Sequence, residues 1–232
     1  ISQLGEVTNK YSVCELPIAI QQIEKQMDLT QSSQLRVVDL SSLWAGPLCS
    51  HLLHRCGYSV TKVESRQRPD GARFGNPDFF AALDAGKQHV EIDFQSEHGI
   101  NQLRELISNA DVVIEGSRPR AMQQLGIDAK QITREAGPQV WLSITGYGRS
   151  GESGQRVGFG DDCAVAGGLV DHSPAGPQFV GDAVADPITG LVAATAILQA
   201  VKEQKSCLIG VSLAETASWL NSVRGNQESQ QD

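Results

Sequence analysis

Asp186 lies in the run Gly181-Asp-Ala-Val-Ala-Asp-Pro-Ile-Thr-Gly190, directly ahead of a proline and a long apolar stretch. An aspartate before a helix-opening proline has two chemical uses. Its oxygen can accept backbone N–H bonds as an N-cap. Alternatively, at a helix mouth beside a glycine-rich loop, it can act as a carboxylate nucleophile, with backbone N–H groups to stabilise an oxyanion. The residues alone leave both open. Ten glycines fall between Gly146 and Asp182, a density that marks loops turning tightly or approaching a ligand closely.

The other reactive groups fit less chemistry. Asp161 and Asp162 are adjacent, so on a helix they do not face each other; acids at a helix N-terminus is the simpler reading. His51 and His54 are spaced i, i+3, but no third ligand accompanies them, and no metal site is expected. The five cysteines, Cys14, Cys49, Cys56, Cys163 and Cys207, include no CxxC and read as packing residues of a reduced, cytoplasmic protein. Gly-x-Ser-x-Gly does not occur. The turn after the first apolar strand, Ser41-Ser-Leu-Trp-Ala-Gly-Pro47, has one glycine instead of the three of a dinucleotide cradle.

These groups must be positioned by alternating elements. Leu35–Leu40, Ser59–Glu64, His89–Phe94, Asp111–Glu115, Val140–Thr145 and Cys207–Leu213 read as strands rich in β-branched residues. Helices are expected between them, at 45–57, 97–109, 119–125, 128–136, 161–170, 187–203 and 214–223. Strand–helix alternation specifies an α/β fold, a mostly parallel sheet with helices on both faces. Residues 1–35 read as an appendage and linker with a short helix over Pro17–Met27, 36–223 as the α/β domain, and 224–232 as a polar tail. With 19 basic and 27 acidic residues the formal charge is −8, which argues against nucleic acid as a partner. No apolar run reaches the roughly 18 residues of a membrane span, and Ile1–Glu6 lacks the pattern of a signal peptide.

An ordered set of segments resembles the family III CoA-transferases, the group of formyl-CoA transferase and carnitine CoA-transferase. The set is Val38–Pro47, Val60–Glu64, Asp84–Lys87 with Val90–Asp93, Ala110–Glu115, Arg118-Pro119, Leu125-Gly126, Ser143–Gly148 and Ala185–Gly190, covering about residues 36–220. The resemblance implies a Rossmann-like large domain with the small domain largely missing, and places Asp186 at the family's nucleophilic aspartate. It also implies that CoA, a substrate and not a tightly bound cofactor, lies along the C-terminal ends of the strands. The residues meeting it would be Ser42, Leu43, Trp44, Ala45, Ser65, Arg66, Ile92, Gly116, Ser117 and Arg118, with Arg66, Arg68 and Arg118 as phosphate partners. The implied activity moves CoA between an acyl-CoA and a carboxylic acid. A non-catalytic CoA-binding or assembly subunit is the alternative, because family members are longer. A 2-methylacyl-CoA racemase ranks third, because the His-Asp pair of the related racemases is absent from Gly158-Phe-Gly-Asp161. The implied assembly is a homodimer or a pairing with a second subunit.

Overall fold

The computed structural model describes residues 16–25, 34–117, 119–135 and 137–228. The chain runs β1 (Ile18–Gln22), β2 (Arg36–Leu40), α1 (Ala45–Arg55), β3 (Ser59–Ser65), α2 (Ala72–Gly75), α3 (Pro77–Asp84) and β4 (Gln88–Ile92). It continues through α4 (Glu97–Ser108), β5 (Val112–Glu115), α5 (Pro119–Gln124), α6 (Ala129–Glu135), β6 (Val140–Thr145) and α7 (Gly160–Ala166). The last elements are β7 (Val170–Ser173), β8 (Gly176–Phe179), α8 (Ala185–Lys202), β9 (Cys207–Ser212) and α9 (Leu213–Glu228).

Seven strands form one sheet in the order β1-β9-β6-β5-β2-β3-β4. All neighbours are parallel except β1, which runs antiparallel to β9. Among the parallel strands this is the doubly wound order, and it reverses between β2 and β5. In such sheets the crevice beyond the carboxyl ends of the two strands at that reversal is where ligands bind.

The near-continuous apolar runs follow from burial on both faces. Val112, Ile114, Val140 and Leu142 join the core under α1, α7, α8 and α9. Their alternate neighbours Val113 and Trp141 join the opposite core with Leu103 and Ile107 of α4. Local signals set the helix starts: Ser96 accepts the Gly99 N–H at 3.0 Å to cap α4, and Asn76 accepts the Phe79 N–H at 3.1 Å ahead of Pro77 in α3.

Three expectations are corrected. Among the described residues of Pro17–Met27 there is no helix: Ile18–Gln22 is the edge strand, pairing Ile18 with Val211 through Gln22 with Cys207, so the sheet begins inside the segment read as an appendage. Its pairing with β9 is long-range, and no local periodicity reveals it. The helix expected over 161–170 stops at Ala166, and Val170 starts a two-stranded hairpin that turns at Pro174-Ala175 into Gly176, whose φ is 112°. The helix expected from Pro187 begins two residues earlier, with Val184 as its N-cap, so Asp186 does not cap its own helix.

Candidate active site

Asp186 is in the first turn of α8. The backbone N–H groups of Ala45, the first residue of α1, and of Gly160, the first residue of α7, face its carboxylate and favour the ionised form. Backbone glycines make this convergence possible. A Cβ at Gly190, one turn along the same face of α8, would lie 2.7 Å from the Ala45 carbonyl oxygen, so α8 comes backbone-close to the first turn of α1. A Cβ at Gly160 would lie 2.1 Å from Asp186 Oδ2.

The half-buried carboxyl is raised to about 6 from the ordinary 3.8. Desolvation is the largest cause, opposed by the Ala45 and Gly160 N–H groups and reinforced by Asp161 and Asp162. Both of these acids stand in the first turn of α7, as expected of them. Asp161 accepts the Ala183 N–H at 2.7 Å, pinning a residue with φ 45° just before α8. Asp162 accepts the Phe159 N–H at 2.6 Å and the Tyr147 hydroxyl at 2.7 Å. That bond to Asp162 is the main reason the Tyr147 phenol is pushed up, and the Arg156 guanidinium lies 3.7 Å over its ring. Cys163 donates to the Gly146 carbonyl at 3.4 Å; burial first, then Asp162, raises its thiol to about 12.

The residues proposed to meet CoA fall on the carboxyl ends of four adjacent strands, β4, β3, β2 and β5. Ser42 and Leu43 are exposed, Trp44 is half-buried against Phe79 with ring centroids 5.0 Å apart, and Ala45 is buried. Leu43 has a φ of 72°, a left-handed conformation that costs a side-chain-bearing residue about 1–2 kcal/mol. Gly116 is exposed, and a Cβ there would sit 3.4 Å from Ser41 Cβ, so the turns after β2 and β5 touch at the reversal point. Ser117 donates to Glu115 at 3.2 Å. Ser65 donates to Gln67, and Arg66 pairs with Glu91 at 2.9 Å, with both partners exposed. Ile92 is brought to the same edge, but its side chain is core and its carbonyl accepts the Arg66 N–H at 2.9 Å. Arg118 lies outside the described residues.

Two clusters were not singled out from the sequence. One is a buried charge network of Asp39, Lys62, Asp70, Asp84 and Lys87 beneath the turn after β2. Its visible signal was Lys62, which shares the inward face of β3 with Val60 two residues earlier. The other is Glu115, which is 1% exposed and accepts from Ser143 and from Arg149 Nη1, both at 2.6 Å, at the mouth of the crevice. Glu64, Asp84 and His89 bring ligand-type atoms within 4.8 Å of one another. Arg73 already donates to both oxygens of Glu64 and lies 3.3 Å from His89 Nδ1, so a guanidinium supplies the cation there.

The fold and site define a doubly wound α/β domain with a partly desolvated carboxylate at a crevice of helix N-termini. The chain matches CoA-transferase family III over residues 33–231, and it belongs to that family. It is 31% identical over 186 residues to an acyl-CoA transferase of Fusarium pseudograminearum, covering 72% of this chain and 41% of that one. It is 29% identical over 177 residues to the succinyl-CoA:glutarate CoA-transferase of Mus musculus, covering 71% and 40%. Among solved structures, a hypothetical protein from Mycobacterium tuberculosis superposes with a TM-score of 0.76 at 28% identity, over 85% of this chain and 59% of that one. A CAIB/BAIF family protein from Brucella suis gives 0.72 at 30% identity, over 84% and 56%. The chain thus spans about half the length of the curated relatives it matches. Among the described residues, no helix is long and apolar enough to cross a membrane.

Proposed function

We propose that this chain carries the nucleophilic half of a CoA-transferase, moving CoA between an acyl-CoA and a carboxylic acid, with Asp186 as nucleophile. The observation that carries the reading is the half-buried Asp186 carboxylate packed against the first turns of α1 and α7, facing the Ala45 and Gly160 N–H groups. A carboxyl of pKa about 6 is mostly ionised at neutral pH, yet more basic than an ordinary aspartate and so a better nucleophile.

An Asp186 oxygen attacks the thioester carbonyl carbon. The C–S bond breaks, giving a mixed anhydride and free CoA thiolate. The thiolate then attacks the aspartyl carbonyl, releasing the donor acid and leaving an aspartyl-CoA thioester. The acceptor carboxylate attacks that thioester and expels the thiolate, which takes the acyl group from the new anhydride and restores Asp186. In the two middle steps the aspartyl carbonyl is itself the electrophile. The N–H groups of Ala45 and Gly160, which face its oxygens, would then serve as an oxyanion hole.

CoA would lie across the turns after β2, β3, β4 and β5, meeting Ser42–Ala45, Ser65, Arg66, the main chain at Ile92, Gly116, Ser117 and Arg118. A homodimer or a second subunit would complete the assembly. Turnover by Asp186→Ala, in a chain long enough to transfer CoA, would refute the nucleophile; a loss of at least 100-fold is expected. The coverage of only about half of each relative favours a second reading, a non-catalytic CoA-binding subunit. Calorimetric binding of CoA without covalent labelling of Asp186 would favour it.

A further inference from the structure

Asp39, Lys62, Asp70 and Lys87 are all buried, and they grip the segment around Ala45 from both sides. Asp39 accepts the Ser41 N–H at 2.9 Å and the hydroxyls of Ser41 and Ser50, and stands 3.5 Å from Lys87 Nζ. Lys87 donates to the Pro47 carbonyl at 3.0 Å and to Asp84 Oδ1 at 2.9 Å. Lys62 donates to the Ser41 carbonyl at 2.7 Å and to Asp70 at 3.0 Å. Asp70 in turn accepts the Leu43 N–H at 3.0 Å, which fixes the left-handed residue of the turn. The chain is therefore held at Ser41, Leu43, Pro47 and Ser50, and Ala45 lies between these anchors.

Five buried charges, counting Asp84, are a poor way to gain stability, because apolar residues of similar volume often do as well or better. What such a network supplies is fixed geometry, and strained backbone persists only where its surroundings over-determine it. Burial alone would raise the Asp39 carboxyl, but Lys62 and Lys87 hold it below the usual range. Burial would likewise lower Lys62, and Asp39 and Asp70 hold it above.

We propose that the Asp39–Lys87 and Lys62–Asp70 pairs are positioning residues that hold the first turn of α1 against α8, so that its Ala45 N–H keeps facing the Asp186 carboxylate. Their catalytic consequence rests on the nucleophile reading above; the positioning itself does not. The ionisable groups facing Asp186 are Asp161, Asp162 and Cys163 of α7, and none belongs to the network.

The test is a carboxyl-carbon NMR titration of this chain labelled at aspartate, with Asp186 assigned by loss of its signal in Asp186→Asn. Ser50→Ala removes one hydroxyl from the network, and the double variant Asp39→Asn/Lys87→Met removes a pair together. Loosening the Ala45 N–H from the carboxylate should raise the Asp186 midpoint by about half a pH unit in the first and about one unit in the second. The Ala45 amide should exchange about tenfold faster in both. Parent-like Asp186 midpoints and Ala45 exchange in folded variants would overturn the proposal. Should the double variant not fold, Ser50→Ala decides alone. No acyl-CoA enters the experiment, so failure of the nucleophile reading leaves its outcome intact.

Discussion

Gly160→Ala concentrates the geometry of the site into one methyl group. In an open helix this change is neutral or stabilising by about 0.5–1 kcal/mol. Here the new Cβ would stand 2.1 Å from Asp186 Oδ2, 2.6 Å from Ala183 Cβ and 2.7 Å from the Ala183 carbonyl oxygen. Two of the three atoms belong to the residue pinned by Asp161, so the start of α7 must move instead. Overpacking of this kind costs about 1–3 kcal/mol. Moving the Gly160 N–H away from the carboxylate also weakens the support of its charge, by up to about 1.5–3 kcal/mol, or about 1–2 pH units on Asp186. The midpoint should therefore rise from about 6 to neutral pH or above, leaving less of the carboxylate ionised at pH 7. A lost oxyanion donor would further slow conversion of the anhydride to the aspartyl-CoA thioester, in which the aspartyl carbonyl is the electrophile, by about 100-fold. The assays are thermal melting, the aspartate titration, and single-turnover acylation by an acyl-CoA. A variant that folds, titrates at Asp186 like the parent and acylates at the parent rate would refute the reasoning.

Other outcomes follow from the same structure. The folded Asp186 carboxyl titrates at about 6 against an ordinary 3.8, so between those values the folded chain binds more protons than the unfolded one. Asp186 should therefore contribute a fall of about 2–3 kcal/mol in stability as pH rises from about 4 to about 6, and Asp186→Asn should remove that component from urea unfolding across the range. Acylation of Asp186 should rise through the same midpoint, because only the carboxylate attacks; a rate independent of pH between 5 and 7 would count against it. Lys62→Met leaves Asp39 and Asp70 without that buried cation and should cost about 3–5 kcal/mol in urea unfolding, whereas Arg66→Met, in an exposed pair with Glu91, should cost under about 1 kcal/mol. Among Cys49, Cys56, Cys163 and Cys207, native-state iodoacetamide should modify Cys56 first, since the other three are buried with raised thiols.

The parallel strands were legible because their side chains serve two cores at once. Val140–Thr145 is apolar nearly throughout, sending Val140 and Leu142 to one core and Trp141 to the other, and such runs stand out in any reading. Ile18–Gln22 is an edge strand whose partner lies far along the chain, so its five residues carried no decisive pattern. The place of Asp186 was legible as an acid at the start of a long apolar helix. Its partners were not, because Ala45 and Gly160 reach it through the folding of three separate elements. The charge network was hidden for a related reason: Asp39 and Lys62 each look like an ordinary polar residue until two neighbouring strands pair.

The most direct measurement is peptide mass spectrometry of protein mixed with an acyl-CoA and quenched with hydroxylamine. An Asp186 anhydride or thioester would be captured as a hydroxamate on the peptide carrying Asp186, absent without acyl-CoA and absent from Asp186→Asn. An unmodified Asp186 in a preparation that transfers CoA would contradict the account.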